Sequence, residues 1–470
     1  MKMLLNGRWL ERPQTIEVRD PQDNSLVDTV PLASPADMDE AIGAAVIGFE
    51  AARQLPVHER MRILRETAAT LTHQHEAFAR TIAREGIKTI REARKEVTRC
   101  IETIRISAEE ARRLHGQTIA FDQMPGSENR RGFYSREPIG VIGAITPFND
   151  PLNLVAHKVG PALAAGNAII VKPDSKTPLS ALKLAQAIHE AGLPNGMLQV
   201  ITGNGSEVGQ TLVTDPRVRM ISFTGGLATG EAIMRQIGLK KVGMELGSNC
   251  PVIVMADADL ELALEANVSG AFWAAGQNCL HVQRLLLQDT IYEQFAERFV
   301  AAAQAYTVGD KLDEATDMGP LINERAAKHV AALVDEAVAA GAILLTGGRR
   351  EGNFYAPTVL ADVPDDCTLA HEEIYGPVTL LYRFQTLDEA IARANNVNYG
   401  LQSGIFTRDL QTAFRAAEQL QCGGVMVNDS TDYRIDAMPF GGVKGSGLGR
   451  EGIRFALHEM TEPKVVCFNL

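Results

Sequence analysis

Cysteine is scarce in this chain, and its few copies stand far apart. Among the 470 residues there are six, with no CxxC pair and no spacing typical of a metal site. Disulfide frameworks and zinc motifs have closely and regularly spaced cysteines, which this chain lacks. We therefore predict free thiols, no metal site and a reducing compartment. The six are Cys100, Cys250, Cys279, Cys367, Cys422 and Cys467.

Long apolar runs and an excess of positive charge are also missing. No segment approaches the roughly 18 consecutive apolar residues that a membrane-spanning helix requires. Residues 1–9 contain no apolar stretch long enough for a signal peptide. The chain has 46 basic and 58 acidic residues, a net charge of -12, whereas a nucleic-acid surface needs clustered Lys and Arg. We expect a cytoplasmic protein that binds neither membrane nor nucleic acid.

The first third of the sequence predicts helices. Hydrophobic residues make up 45% and charged residues 22% of the chain, enough material for a large core. The length suggests roughly three domains. Ser34-Pro35-Ala36-Asp37 combines a capping Ser, a Pro at the first helical position and an acid in the first turn. Further amphipathic helices are predicted over about 57–83 and 91–114.

From Gly140 onward, short apolar runs alternate with helices. Strands are predicted at 168–171, 198–201 and 220–223, with one helix from Thr177-Pro178 to Gly192 and another from about Gly230. A second series has strand candidates near 252–255, 285–287, 378–382, 404–406 and 425–427. This alternation predicts an α/β fold with a doubly wound parallel sheet.

The turn after the strand at 220–223 has the parts of a phosphate site. Thr224-Gly225-Gly226 leads into a helix, and glycines let the backbone approach a pyrophosphate near the positive end of that helix. The pattern differs from the common G-x-G-x-x-G, and a Gly-rich turn alone is weak evidence for a nucleotide.

Two further segments each place one reactive side chain among small neighbours. Gly243-Met244-Glu245-Leu246-Gly247 offers a carboxylate that can activate water, and Gly276-Gln277-Asn278-Cys279 offers a thiol that can attack a carbonyl. Together with Thr146-Pro147-Phe148-Asn149 and Val171-Lys172-Pro173, the pattern resembles the aldehyde dehydrogenase superfamily. The resemblance runs from Leu5-Asn6-Gly7 to Pro439-Phe440-Gly441-Gly442.

The resemblance implies three catalytic residues. Cys279 is the expected nucleophile, although most intracellular cysteines are small buried hydrophobes. The Asn149 side chain and the Cys279 backbone N–H are expected to stabilise the oxyanion. Glu245 is the expected general base for the water that hydrolyses the thioester, and its presence argues against a CoA-acylating enzyme.

The resemblance also implies a Rossmann-like site for NAD or NADP. Lys172 matches the residue that binds the adenosine ribose, and Glu373 the residue that holds the nicotinamide ribose. Where NAD-specific members carry a Glu, this chain has Ser175, which beside Lys172 and Lys176 tolerates a 2′-phosphate, so use of NADP is expected beside NAD. Gly226 replaces a Ser of the family, and Tyr375 a Phe. The remaining expected contacts are Ile145, Thr146, Pro147, Phe148, Gly205, Gly209, Phe223, Thr224, Gly225 and Leu246.

The positions that match the family's substrate funnel are polar in this chain. Members acting on long or aromatic aldehydes line that funnel with aromatics, so a small polar, anionic aldehyde is expected here. Arg434 is the predicted anion contact, with Asp432 or Asp436 as alternative partners for it. The other positions are Asp150, Asn153, Leu154, His157, Leu280, His281 and Tyr433, with Arg99 and Arg105 near the mouth.

The resemblance finally implies an arrangement of domains and subunits. Residues 1–117 and 139–247 would form the cofactor domain and 248–445 the catalytic domain. Residues 118–138 and 455–470 would supply the strands that join a homodimer or homotetramer. A CoA-acylating semialdehyde dehydrogenase and a catalytically silent binding or structural member of the fold stay open as alternatives.

Overall fold

The computed structural model describes all 470 residues. The helices begin in the N-terminal third and then alternate with strands. The α-helices are α1 (Pro35–Gln54), α2 (Val57–His73), α3 (His75–Glu85), α4 (Ile90–Ala111), α5 (Asn153–Ala165), α6 (Leu179–Glu190), α7 (Gln210–Thr214), α8 (Leu227–Met234), α9 (Leu260–Phe272), α10 (Tyr292–Gln304), α11 (Glu324–Ala339), α12 (Thr368–His371), α13 (Leu387–Asn395), α14 (Leu410–Gln419) and α15 (Ile453–Glu459).

Most of the strands belong to two large sheets. The strands are β1 (Met3–Leu5), β2 (Arg8–Leu10), β3 (Thr15–Arg19), β4 (Leu26–Pro31), β5 (Gln117–Ile119), β6 (Arg130–Pro138), β7 (Val141–Ile145), β8 (Ala168–Lys172), β9 (Leu198–Val200), β10 (Val218–Thr224), β11 (Lys241–Glu245), β12 (Cys250–Val254), β13 (Val282–Gln288), β14 (Ile343–Thr346), β15 (Arg350–Glu351), β16 (Phe354–Tyr355), β17 (Thr358–Ala361), β18 (Val378–Phe384), β19 (Gln402–Phe406), β20 (Gly424–Val427), β21 (Gly447–Leu448) and β22 (Thr461–Asn469).

The first large sheet has the order β2-β1-β9-β8-β7-β10-β11-β21. Its five central strands are parallel, and antiparallel strands close both edges. Alternate residues of the central strands pack into separate apolar clusters, with Ile142 and Ile169 in one and Val141 and Ile170 in the other. Because both faces are covered in this way, the sheet is doubly wound, and the predicted α/β fold is confirmed.

The second large sheet has the order β14-β17-β18-β13-β12-β19-β20 and is parallel except at the β14 edge. A separate antiparallel sheet joins β22, β6 and β5. No helix is both long and apolar enough to cross a membrane.

Local sequence patterns predicted most helices and strands, and the structure corrects a few of their boundaries. The capping box at Ser34 and Asp37 starts α1 as predicted. The helix predicted over 57–83 is two helices, because the chain turns at Gln74. The helix expected from about Gly230 begins three residues earlier, directly after Gly226. In the segment 455–470, α15 continues to Glu459, so its strand begins only at Thr461.

Candidate active site

A cavity of about 230 Å³ lies where the carboxyl ends of β7 and β11 approach the segment that precedes β13. Its lining includes Cys279, Glu245 and Asn149. Parallel strands direct their carboxyl ends to one edge of a sheet, and ligand sites of open α/β sheets form there. The structure therefore brings all three predicted catalytic residues to one cavity.

The segment before Cys279 has an unusual backbone. Ala274, Ala275 and Gly276 have φ values of 52°, 54° and 67°, the left-handed region that alanine seldom adopts. A Cβ at Gly276 would lie 2.1 Å from the carbonyl oxygen of Gly376, so only glycine fits. Such conformations persist where surrounding contacts enforce them.

Two buried side chains enforce this conformation. The Ala274 N–H donates to Oε1 of Glu92 on α4 at 2.8 Å. Gln277 accepts from the Ile322 N–H at 2.9 Å and donates to the Pro320 carbonyl at 3.3 Å. Glu92 was missed in the sequence, since an acid in the first turn of a helix is ordinarily a dipole partner on the surface.

Cys279 is partly buried beside this segment. Burial raises the pKa of its thiol well above the ordinary value, and the nearby Arg434 guanidinium acts in the opposite direction. A raised pKa favours the protonated thiol, which must lose its proton before it can attack a carbonyl.

Glu245 ends β11, in register with Thr224 at the end of the neighbouring β10. Its side chain is buried, and Oε2 has no hydrogen-bond partner. Burial raises the pKa of this carboxyl well above its ordinary value, and the Glu451 carboxylate raises it further. Arg434 and Lys158 oppose that shift. An uncommitted carboxyl with a raised pKa is suited to act as a general base.

Asn149 lies in the turn between β7 and α5 and is 8% exposed. The first turn of α5 is held by Glu96 of α4, whose Oε1 accepts from the N–H groups of Leu152 and Asn153 at 2.8 and 3.0 Å. Helix α4 thus supports both the Asn149 turn and, through Glu92, the Cys279 segment.

The predicted substrate contacts separate into two groups. Asp150, Leu154, Leu280, Arg99 and Arg434 line the cavity. The other predicted positions are not part of its lining: Asn153, His157, His281, Tyr433 and Arg105.

The three buried residues among them make hydrogen bonds elsewhere in the protein. The His281 ring bonds to the Val378 carbonyl at 2.8 Å, inside the second sheet. The His157 ring bonds to Asp436 at 2.8 Å. Asn153 accepts from the Thr103 hydroxyl at 2.8 Å. Each of these side chains is engaged within the protein.

Arg434 is paired differently from either sequence alternative. Its Nη2 donates to Glu451 at 3.1 Å and lies 3.4 Å from the His157 ring. The guanidinium stacks on Phe440, 3.7 Å from the ring centre. Its Nε has no acceptor. Arg434 thus keeps unused donor capacity on the cavity wall, although Asp432 and Asp436 are not its partners.

The expected cofactor residues surround the carboxyl ends of β7, β8 and β10. Lys172 ends β8, and its ammonium donates to the Pro173 carbonyl at 2.9 Å. Burial lowers the pKa of Lys172. The hydroxyls of Thr146 and Thr224 are buried without partners. These three side chains therefore retain hydrogen-bonding capacity for a bound group.

Open glycines and aromatic contacts complete this surface. A Cβ at Gly205, Gly209 or Gly226 would meet no atom within 4 Å. A Cβ at Gly225 would lie 2.5 Å from the Phe223 ring, and α8 begins at Leu227 without a side-chain cap. Phe148 packs edge to face with Tyr375 at 5.8 Å, and Ile145 and Pro147 flank Thr146 on the same connection. Exposed backbone at a helix N-terminus suits a phosphate group.

Glu373 lies close to the segment that follows Glu245. It accepts from the Ser248 N–H at 2.9 Å. A Cβ at Gly247 would lie 2.4 Å from its carboxylate, and Leu246 packs against Gly230 of α8. Burial raises the pKa of Glu373 to about 7.

Comparison with known proteins gives consistent results. The model of the aldehyde dehydrogenase family matches residues 9–466. Aspartate-semialdehyde dehydrogenase 1 of Pseudomonas canavaninivorans is 52% identical, over 97% of this chain and 97% of the relative. The 3-sulfolactaldehyde dehydrogenase of Priestia megaterium is 43% identical, over 100% and 98%. The crystal structure of glyceraldehyde-3-phosphate dehydrogenase from Methanocaldococcus jannaschii, complexed with NADP, superposes with a TM-score of 0.94 at 40% identity, over 98% and 100% of the chains.

Proposed function

The chain belongs to the aldehyde dehydrogenase family, and we propose that it oxidises a small anionic aldehyde to its carboxylic acid through a covalent intermediate on Cys279. Members of this family are NAD(P)-dependent oxidoreductases, and this chain is one of them. The observation that carries the proposal is the shared cavity of Cys279, Glu245 and Asn149.

The proposed reaction begins when the Cys279 thiol loses its proton to water and its sulfur attacks the aldehyde carbon. The new C–S bond converts the carbonyl oxygen to an oxyanion, which the Asn149 amide and the Cys279 backbone N–H stabilise. The C–H bond of the former aldehyde carbon then breaks and the carbonyl re-forms, which leaves a thioester on Cys279; a bound nicotinamide cofactor would supply the acceptor for the departing hydride. Glu245 then takes a proton from water, whose oxygen attacks the thioester carbon and releases the acid and the thiolate.

The residues present fit a nicotinamide dinucleotide. Lys172, Thr146 and Thr224 retain free hydrogen-bonding capacity, and Glu373 lies against the Gly247 backbone. We propose that Lys172 holds the adenosine ribose and Glu373 the nicotinamide ribose. Ser175 and Lys176 carry no carboxylate that could repel a 2′-phosphate. The Methanocaldococcus jannaschii relative is complexed with NADP. NADP is therefore the proposed preferred cofactor.

The charge of the cavity wall supports an anionic substrate. Arg99 and Arg434 line the cavity, each with an Nε that has no acceptor. Lys95, also on the wall, has no carboxylate within ion-pair distance. The two curated relatives are named for aspartate semialdehyde and 3-sulfolactaldehyde, which are both small and carry an anionic group. An anion bonded to a guanidinium in a partly buried site is favoured by roughly 1.5–3 kcal/mol.

Subunit association is a further proposal. Strands β5, β6 and β22 form a sheet separate from the two large ones, and it exposes Phe133, Val465 and Phe468. We propose that residues 118–138 and 455–470 join copies of this chain in a dimer or tetramer. On this proposal, residues 1–117 and 139–247 hold the cofactor and residues 248–445 complete the catalytic site.

The proposed function is tested by mixing the protein with NADP⁺ or NAD⁺ and short aldehydes, with and without CoA. We expect reduced cofactor to accumulate without CoA, fastest with anionic aldehydes and NADP⁺. A strict requirement for CoA would identify the acylating alternative. Absence of turnover with every aldehyde, together with retained cofactor binding, would identify a silent member of the fold.

A further inference from the structure

The ionisable side chains on the cavity wall are mostly paired with one another. Lys88 donates to Glu96 at 2.8 Å and to Asp150. Arg99 pairs with Asp436 at 2.8 Å and lies 3.6 Å from Asp150. These contacts neutralise the middle of the wall, because each carboxylate has a cation beside it.

Apart from Glu245, whose role is proposed above, two charged residues of the wall stand outside this pairing, Lys95 and Asp432. Neither forms an ion pair within 4 Å. The Lys95 ammonium lies 4.8 Å from the centre of the Trp273 ring, at the outer end of the cavity. The Asp432 carboxylate accepts from the Ser430 hydroxyl and packs closely over Gly270.

Asp432 is the more informative of the two. Asp432 is half-buried, and this burial raises the pKa of its carboxyl group, whereas the Ser430 hydroxyl and the Lys95 ammonium lower it. A buried carboxylate without a cation is costly, so proteins normally pair it with a positive group or neutralise it. One serine hydroxyl supplies a single neutral donor. No cation is in direct contact with Asp432, so its carboxylate can accept from a positively charged donor that enters the cavity.

We propose that Asp432 and Lys95 together select an aldehyde that carries an ammonium beside its anionic group, with the ammonium on Asp432 and the anion near Lys95. The inference rests on the proposed function and deepens it by naming the substrate class as short amino-acid aldehydes. Cys279, Asp432 and Lys95 line the same cavity, so a short aldehyde whose carbonyl carbon is at Cys279 can place its zwitterionic end against the two unpaired charges. An aldehyde with an anion alone leaves Asp432 unpaired.

The test compares two probes that differ only in the amine, 4-oxobutanoate and 2-amino-4-oxobutanoate. In the wild type we expect kcat/KM for the amino compound to be about tenfold higher or more, as for a charge-assisted hydrogen bond. Asp432→Asn should bring the ratio of the two kcat/KM values close to one. The ratio does not depend on the fraction of folded enzyme, so partial misfolding of the variant does not affect it.

Two further variants serve as controls. Asp429→Asn, in the same loop but not on the cavity wall, should retain the wild-type ratio. Lys95→Gln should lower kcat/KM for both probes, because both carry the carboxylate, and leave the ratio high. Equal kcat/KM values in the wild type, or a high ratio that persists in Asp432→Asn, would overturn the inference alone. If no aldehyde is oxidised at all, both this inference and the proposed function are wrong.

Discussion

The reacting centre and the substrate wall share one cavity but are built differently. Glu245 and Asn149 lie at or just beyond the ends of β11 and β7, and Cys279 follows a backbone that Glu92 and Gln277 enforce. Strand pairing and main-chain hydrogen bonds therefore position the reacting groups. The wall is instead made of long charged side chains from separate segments, such as Lys88, Arg99 and Arg434. Each of these is held by an ion pair with a carboxylate: Glu96, Asp436 and Glu451 respectively.

This difference has a functional consequence. Groups positioned by the backbone keep their place when the wall changes, so one chemistry can serve many substrates. Most charged side chains of the wall are paired within the protein, so only the unpaired groups are available to contact a substrate. These groups are Lys95, Asp432 and the free donors of Arg434. Substitutions at the reacting centre should therefore change rate for every aldehyde, whereas substitutions on the wall should change preference.

The largest effect is expected for Cys279→Ala. Because this thiol forms the covalent intermediate, oxidation of every aldehyde should fall by about a thousandfold or more. Cofactor affinity should stay near the wild-type value, measured by fluorescence titration. Cys467→Ala, which removes an exposed thiol, is the matched control and should keep its activity. Substantial turnover by Cys279→Ala would contradict the covalent mechanism.

Glu92→Ala tests whether the Cys279 segment depends on its buried support. The Ala274 N–H would lose its acceptor, at a cost typical of a buried unpaired donor. We expect kcat and the rate of Cys279 alkylation by iodoacetamide each to fall by about tenfold. Glu92→Gln keeps one acceptor oxygen and should recover part of the loss.

The control for this experiment is Glu102→Gln, which changes an exposed carboxylate on the same helix. It should leave both rates near wild type. A fall in melting temperature without a change in alkylation rate or kcat would show that Glu92 contributes only to stability.

Ser175→Glu concerns the cofactor, where a smaller, selective effect is expected. A carboxylate repels a 2′-phosphate and accepts from a 2′-hydroxyl. The ratio of kcat/KM for NADP⁺ to that for NAD⁺ should fall by about tenfold. If the wild type cannot use NADP⁺, the interpretation of Ser175 is wrong.

The smallest expected effect is a shift in pH dependence for Glu451→Gln. Glu245 must be ionised to accept a proton, so activity rises as pH rises through its pKa. Glu451 raises that pKa by repulsion, while Arg434, Lys158 and Arg450 lower it. Removing the Glu451 charge should therefore move the acidic limb of the kcat profile to lower pH, by about one unit or less. A shift to higher pH would contradict this assignment of the charges.

The same contrast explains how much could be predicted from the sequence. Cys279, Glu245 and Asn149 lie in short local motifs, and the α/β order follows from apolar runs. Hydrogen bonds and ion pairs between side chains that are distant in the sequence cannot be predicted from local motifs. Nothing near Glu92 in the sequence indicates that it accepts from Ala274, and His281 looks equally suited to a pocket until its bond to Val378 is seen. The Arg434 partner, Glu451, lies 17 residues away rather than beside it.

The most direct test of the account is the mass of Glu245→Gln after mixing with an aldehyde and oxidised cofactor. Because this variant cannot activate water, the acyl group should remain on the enzyme after one rapid turnover. Intact mass spectrometry should show an adduct equal to the acyl group, mapped by peptide analysis to Cys279 and absent from the Glu245→Gln, Cys279→Ala double variant. Failure to accumulate any adduct while one equivalent of cofactor is reduced, or an adduct that persists in the double variant, would contradict it.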